Sequence, residues 1–189
     1  MESGPALSLS SDVGAALGGT NLELKARVDS LAFARERLRS LGAVLQGVER
    51  QEDRYFRVPN GRLKLRVSSH DGAHLVAYLR PEEGRFRTSR FQRLPVADPE
   101  GLAETLSTML GEGARVIKAR EVWWWRDVRV HLDEVEGRGT FIEFEARLDR
   151  IGDPAAAAER LDHLCDALAL ADREALRVSY GEMPCPPTT

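Results

Sequence analysis

The chain has 189 residues, 42% of them hydrophobic and 30% charged, and its 27 Lys and Arg against 30 Asp and Glu leave a net charge of -3. Such a chain forms one globular domain with room for a sizeable core. The charge balance excludes a general attraction to nucleic acid, so any anion site has to be built locally. No run nears the roughly 20 apolar residues of a membrane-spanning helix, and the two cysteines, Cys165 and Cys185, are too few for a disulfide framework. A cytoplasmic protein that engages neither nucleic acid nor membrane is expected.

Residues 1–20, rich in Ser, Gly and Ala and without a basic leader or a sustained apolar stretch, read as a disordered tail. The first strand follows at 21–28, Asn-Leu-Glu-Leu-Lys-Ala-Arg-Val, which alternates polar and apolar without a slip. Asp29 and Ser30 open a helix that places Leu31, Ala34, Leu38 and Leu41 on one side and stops at Gly42. Residues 62–67 alternate as the first strand does, behind the turn pair Asn60-Gly61, and residues 75–80 form a further strand after Asp71-Gly72. The segment 80–93, with Pro81, Gly84 and four arginines after them, reads as a mobile loop.

Asp98-Pro99 starts a second helix that runs toward Gly111. Strands are predicted over 116–124, 128–133 and 140–148, the last two linked through Gly137-Arg138-Gly139. Asp153-Pro154 repeats the helix-start signal, and Ala157, Leu161, Leu164 and Leu168 then recur at helical spacing. Residues 181–189 read as a second flexible tail, which leaves 21–180 as the domain. An antiparallel sheet interrupted by helices is an α+β arrangement.

The polar faces of these strands carry sorted charges. Glu23 and Lys25 lie on the first, Lys64 and Arg66 on the next, then Arg80, then Lys118 and Arg120, then Arg129, His131 and Asp133, and finally Glu143 with Glu145. A merely solvated face would mix its polar residues, and like charges side by side cost stability unless a ligand of opposite sign is bound. A multiply charged anion together with a divalent cation relieves both clusters. Glu143 and Glu145, two apart on a strand, project the same way and can share Mg²⁺ or Mn²⁺, with Asp133 or Glu23 completing the set. Positioning and charge neutralisation are also what transfer at phosphorus requires.

These segments resemble the CYTH superfamily, the triphosphate tunnel enzymes that include class IV adenylyl cyclases and thiamine triphosphatases. The carriers are Asn21-Leu22-Glu23-Leu24-Lys25, Asp53-Arg54-Tyr55-Phe56 with residues 62–66, the run 128–145 from Val-Arg-Val-His-Leu-Asp-Glu-Val-Glu-Gly to Phe-Ile-Glu-Phe-Glu, and Ser179-Tyr180. The resemblance is strongest to the bacterial class IV cyclase-like branch. It implies a closed eight-stranded antiparallel β-barrel with a polar interior and helices packed outside. It also implies that Lys25, Lys64, Arg66, Lys118, Arg120 and Arg129 hold a triphosphate, with Arg80 and Arg87 as looser carry-overs, and that Glu23, Asp133, Glu143 and Glu145 hold metal. Asn21 stands where the full signature has its first Glu, which removes one anionic ligand.

Lys25, Arg129 and His131 are the catalytic candidates, the two cations as stabilisers of a leaving group and His131 as a proton carrier or ribose contact. Of Trp123-Trp124-Trp125, alternation sends the outer two away from the face of Lys118 and leaves Trp124 on it; packing outside the barrel is the ordinary expectation for such a run. Cys165 reads as a buried small hydrophobe on the third helix. The first reading of function is cyclisation of ATP to cyclic AMP and pyrophosphate. The alternatives are hydrolysis of an inorganic or organic triphosphate, thiamine triphosphate or nucleoside triphosphate, and non-catalytic sensing of a polyphosphate. A homodimer is allowed.

Overall fold

The computed structural model of the chain describes residues 18–79, 85–170 and 175–183. Nearly all of the first expected tail, most of the second, Arg80 and Cys185 lie outside the described residues. Eight strands occur in chain order: β1 (Gly19–Val28), β2 (Val44–Phe56), β3 (Arg62–Ser68), β4 (Gly72–Leu79), β5 (Arg87–Pro95), β6 (Glu112–Trp125), β7 (Val128–Val135) and β8 (Gly139–Arg147). They close into one barrel in the order β1-β5-β4-β3-β2-β6-β7-β8, every neighbour antiparallel. The helices are α1 (Leu31–Ser40), α2 (Pro99–Leu110), the one-turn α3 (Leu148–Ile151) and α4 (Pro154–Ala167), and a 3₁₀ turn follows at Tyr180–Glu182.

Two segments differ from the expectation. Residues 87–93 belong to strand β5 and not to a loop, and β2 forms where no alternation marks a strand. In both, neither face is uniformly apolar, and β2 shows why. Inward Glu49, Gln51 and Asp53 of β2 face a polar interior, while outward Arg50, Glu52 and Arg54 meet water, so polar residues stand on both faces and the period-two signal vanishes.

The barrel is apolar outside and charged inside. Outward Leu24, Ala26 and Val28 of β1, Trp123 and Trp125 of β6, Val128, Val130 and Leu132 of β7, and Ile142, Phe144 and Ala146 of β8 form one buried cluster with Leu31, Ala34 and Leu38 of α1 and Ala157, Leu161, Leu164 and Cys165 of α4. A second layer of the same kind seats Ala103 of α2 on Phe56 and Leu65. Trp125 stacks on His163 with ring planes 4° apart, so both outer tryptophans are packing residues.

Local signals set the helix ends. The Ser30 hydroxyl caps α1 through the Ala32 amide, and Asp98 and Asp153 cap α2 and α4, each followed by proline in the first turn. Gly61, at φ 68°, makes the turn between β2 and β3, where an added Cβ would lie 2.7 Å from the Tyr78 carbonyl oxygen. Among the described residues no helix is long and apolar enough to cross a membrane.

Because the core lies between barrel and helices, truncation there opens a cavity that neither layer can close. Leu161→Ala is expected to cost about 2–5 kcal/mol of unfolding free energy, read from urea denaturation.

Candidate active site

Register places the charged side chains in rows across the strands. Val122, His131, Glu143 and Lys25 stand beside one another on β6, β7, β8 and β1. One step toward the barrel end where β1 begins, the row is Trp124, Arg129, Glu145, Glu23 and Arg87. One step the other way, Arg120 stands beside Asp133. Apart from Arg87 and Asp133, the residues of these rows border a cavity of about 540 Å³, lined also by Lys64, Arg66, Lys118, Tyr55, Tyr78 and Tyr180. Exposed Gln46, Val48, His70 and Asp71 form its rim. The far end is filled by Val116, Val135, Phe141, Tyr180 and Met183, so the cavity has a floor and a mouth.

The deep cations are held by two carboxylates. Asp53, 1% exposed, accepts from Lys64 Nζ (2.9 Å), Arg66 Nε (2.6 Å) and Arg66 Nη2 (2.8 Å). Asp133, 0% exposed, accepts from Arg120 Nε and Nη2 (2.6 Å each) and from the Tyr180 hydroxyl (2.7 Å). Lys118 lies between them, 3.9 Å from Asp53 and 3.7 Å from Asp133. Lys25 Nζ sits 3.2 Å from Glu143 and 3.7 Å above the Tyr180 ring.

Burial alone would raise the Asp53 carboxyl, but the charges of Arg66 and Lys64 prevail and hold it well below the usual range. Asp133 is held low in the same way by Arg120 and Lys118 against burial. For the lysines burial wins: with the repulsion of Arg66 it brings Lys64 down to about 8, and with that of Arg120 it puts Lys118 well below its ordinary value.

His131, Glu143 and Glu145 form the other group, with one ligand atom from each lying within 4.8 Å of the others. His131 Nδ1 is 3.7 Å from Glu143 Oε2 and 3.8 Å from Glu145 Oε1, too far for hydrogen bonds, and it is buried without a partner. Burial and the Arg120 charge lower the imidazole pKa, which favours the neutral ring, while both carboxyls are held below their ordinary values despite burial, Glu143 by Lys25 and Arg120 and Glu145 by Arg129, with His131 adding to both only when it is protonated. A neutral imidazole nitrogen facing two carboxylates is a donor set that suits a divalent cation.

The remaining expected residues are placed as follows. Glu23 borders the cavity and accepts from Asn21 Nδ2 at 3.5 Å. Asp133 lies outside the three-ligand group; its oxygens accept from Arg120 and Tyr180, and the same Arg120 guanidinium also donates to Glu143 Oε2 at 2.7 Å, so a cation at Glu143 would compete with it. Arg129 borders the cavity beside Glu145 at 3.7 Å. Arg87 does not line it; its guanidinium donates to the Leu176 and Arg177 carbonyls and anchors the segment that leads to Tyr180. Arg80 lies outside the described residues.

Sequence reasoning gave no role to Asp53 or Tyr180, the two residues that organise the deep cations. No local signal gave the partner of Asp53: a two-residue hairpin extended back from Asn60-Gly61 would set Tyr55 opposite Arg66, and it is the five-residue connection 57–61 that shifts the register by two and brings Asp53 there. Tyr180 reaches Asp133 across 47 positions, and no local pattern announces that.

Removing the charge of Asp53 leaves three cations without it. Asp53→Asn is expected to cost about 3–5 kcal/mol. Because the folded-state pKa values of Asp53, Asp133 and Glu143 are depressed, their stabilisation is fully present above their ordinary values of 3.8 and 4.5 and is lost as pH falls through the lower folded values. Urea titrations at pH 7, 5 and 3 should therefore show the loss in wild type below pH 4, with a shallower slope in Asp53→Asn.

Residues 19–179 match the CYTH domain. A protein from Methanocaldococcus jannaschii, named as a candidate adenylate cyclase, is 25% identical over 169 residues, covering 86% of this chain and 97% of its own. A solved structure from Pyrococcus horikoshii OT3 superposes with a TM-score of 0.75 at 24% identity, over 86% of this chain and 98% of that one. One from Hippeastrum, described as a candidate adenylyl cyclase with a dominant triphosphatase activity, superposes at 0.61 with 15% identity, over 85% and 92%. With the charge-lined eight-stranded barrel and a match that spans all of its strands, the chain belongs to the CYTH family.

Proposed function

We propose that the domain is a metal-dependent enzyme of triphosphate chemistry that converts ATP to cyclic AMP and pyrophosphate. The observation that carries this reading is the pattern of unmet polar groups: of the six buried side-chain atoms without a hydrogen-bond partner among the described residues, Asn21 Oδ1, Gln51 Oε1, Arg129 Nε and His131 Nδ1 belong to residues that border the cavity. Buried polar groups are normally satisfied, so a polar occupant belongs there.

Lys64, Arg66, Lys118 and Arg120 hold the two outer phosphates near the floor, already oriented by Asp53 and Asp133. Lys25 and Arg129 face the inner phosphate and the bond that breaks. Mg²⁺ or Mn²⁺ on Glu143, Glu145 and His131 would neutralise phosphate charge and activate the attacking hydroxyl. In this assignment His131 is a ligand and not the proton carrier expected from sequence, while Asp133 is a counter-charge and Glu23 an outlying acid. Cyclisation forms the bond from the ribose 3′ oxygen to the α-phosphorus and breaks the bond from that phosphorus to the bridging oxygen, and the hydroxyl proton passes to water at the open mouth. The deep cations hold the departing pyrophosphate. The name of the Methanocaldococcus relative agrees with this reading, and a cytoplasmic location, where ATP and Mg²⁺ meet, goes with it. Residues 21–180 are taken as the catalytic unit.

Hydrolysis is the second reading, because the exposed rim of Gln46, His70 and Asp71 leaves the mouth open to water. Purified protein incubated with ATP or tripolyphosphate, each with Mg²⁺ or Mn²⁺, distinguishes the readings. Cyclic AMP with pyrophosphate is expected; orthophosphate would establish hydrolysis, binding without turnover a sensor, and no binding would overturn the site. Glu143→Gln and Lys64→Ala should each lower turnover by about 100-fold or more.

Polyphosphate favours the Lys64 ammonium, whose pKa in the free site is about 8. Affinity is therefore full below that pH and falls as pH rises through it, about tenfold between pH 7 and 9. Lys64→Arg should flatten the profile measured by calorimetry.

A further inference from the structure

Trp124 is not explained by packing. Trp123 and Trp125 belong to the buried cluster under α1 and α4, whereas Trp124 belongs to none of the apolar clusters of the described residues. It points inward with Lys118 and Arg120 and borders the cavity, half-buried. A tryptophan left out of the core and turned into a charged cavity loses the burial that ordinarily stabilises it.

Its surroundings differ from the rest of the lining. Across the strand pairs Trp124 meets Val44, and Val122 meets Gly47, a glycine whose missing Cβ would touch nothing within 4 Å. Val44 and Val48 are 58% and 62% exposed. The corner of the mouth where β2 meets β6 is thus open, with Val48, Gly47 and Val122 beside Trp124 and Gln46 at the rim, in a cavity whose depth is charged. The Arg129 guanidinium lies over the Trp124 ring, 5.1 Å from its centre, and that of Arg150 lies over it at 5.9 Å, so the indole already takes part in cation–π contacts that a stacked ring would share or displace. The row order then reads, from floor to mouth, deep cations, then His131 with Glu143, then Glu145 with Arg129 and Trp124.

We propose that Trp124 is the platform for the planar ring of an organic triphosphate, so that the substrate enters phosphates first and leaves its ring stacked at the mouth. The inference rests on the triphosphate reading above and adds direction and selectivity to it. The deep end is closed by the packed Phe141, Tyr180 and Met183 and lined by cations, so the phosphates suit it and the ring is left to the mouth. A base has a π-face whatever its identity, so the indole selects for a ring and not for a particular base. Inorganic tripolyphosphate makes the deep contacts and lacks this one.

The test measures equilibrium binding of ATP and of tripolyphosphate, both with Mg²⁺, to wild type, Trp124→Leu and Trp124→Phe by calorimetry. Trp124→Leu should weaken ATP by about 10-fold or more while tripolyphosphate changes by less than about twofold, and Trp124→Phe should recover most of the ATP affinity. Unchanged tripolyphosphate binding also reports that the barrel of the variant is intact. Equal losses for both ligands, or undiminished ATP binding in Trp124→Leu, would overturn the platform and leave the triphosphate site standing. Wild type binding neither ligand would overturn the site and the platform together.

Discussion

Everything in this barrel depends on placing ammonium and guanidinium groups where water is scarce without letting them repel one another apart. Burial of an ion costs several kcal/mol even after relaxation, and neighbouring like charges add to it. Asp53 and Asp133 resolve this by being at least as buried as the cations they serve. Each fixes a guanidinium through two hydrogen bonds, and Lys118 is suspended between the two carboxylates. A cation set held in this way does not have to reorganise when a polyanion arrives, which is the condition under which fixed charge is most effective. The carboxylates leave the bases slightly undersatisfied: Lys64 and Lys118 keep depressed pKa values in spite of them, so an incoming anion improves their lot.

The architecture around the interior follows from the same constraint. A sheet that turns its charged face inward must find its hydrophobic partner outside, and α1, α4 and α2 supply it. The stability of the domain and the chemistry of its cavity are thereby separated onto opposite faces of the same strands, with alternate residues serving each. Trp123 and Trp125 illustrate the division, since they are core, while the residue between them faces the cavity.

How much of this was legible in the sequence depended on whether one face of a segment was uniformly apolar. Strands β1, β3, β7 and β8 and the three longer helices announced themselves because helices or neighbours cover their outer faces. Strands β2 and β5 did not, since Arg50, Arg54, Arg90 and Gln92 look outward and the inward positions mix Glu49, Gln51 and Ser89 with Tyr55 and Phe91, so neither face is uniformly apolar. Closure into a barrel came from resemblance and not from periodicity, because periodicity carries no information about which edges meet. Within the site, strand positions of the cations and of Glu143 with Glu145 were readable, but the grouping of His131 with those two, and the capture of Asp133 by Arg120, are matters of side-chain reach that spacing does not encode.

The floor of the cavity also bears on how the chain folds. Tyr180 follows all eight strands, yet its hydroxyl meets Asp133 and its ring lies beneath Lys25, and the approach to it is tied by the Leu176 amide to the Lys25 carbonyl and by Arg87 to the next turn of chain. Pairing of β1 with β8 is itself a contact of the longest range, which slows the search for the native topology. Until that seam closes and Tyr180 arrives beneath it, the interior charges stand open to solvent and cost little; sealing the floor is the step that desolvates them. The seal is thus the contact whose stability depends most on opposing charges being matched beneath it.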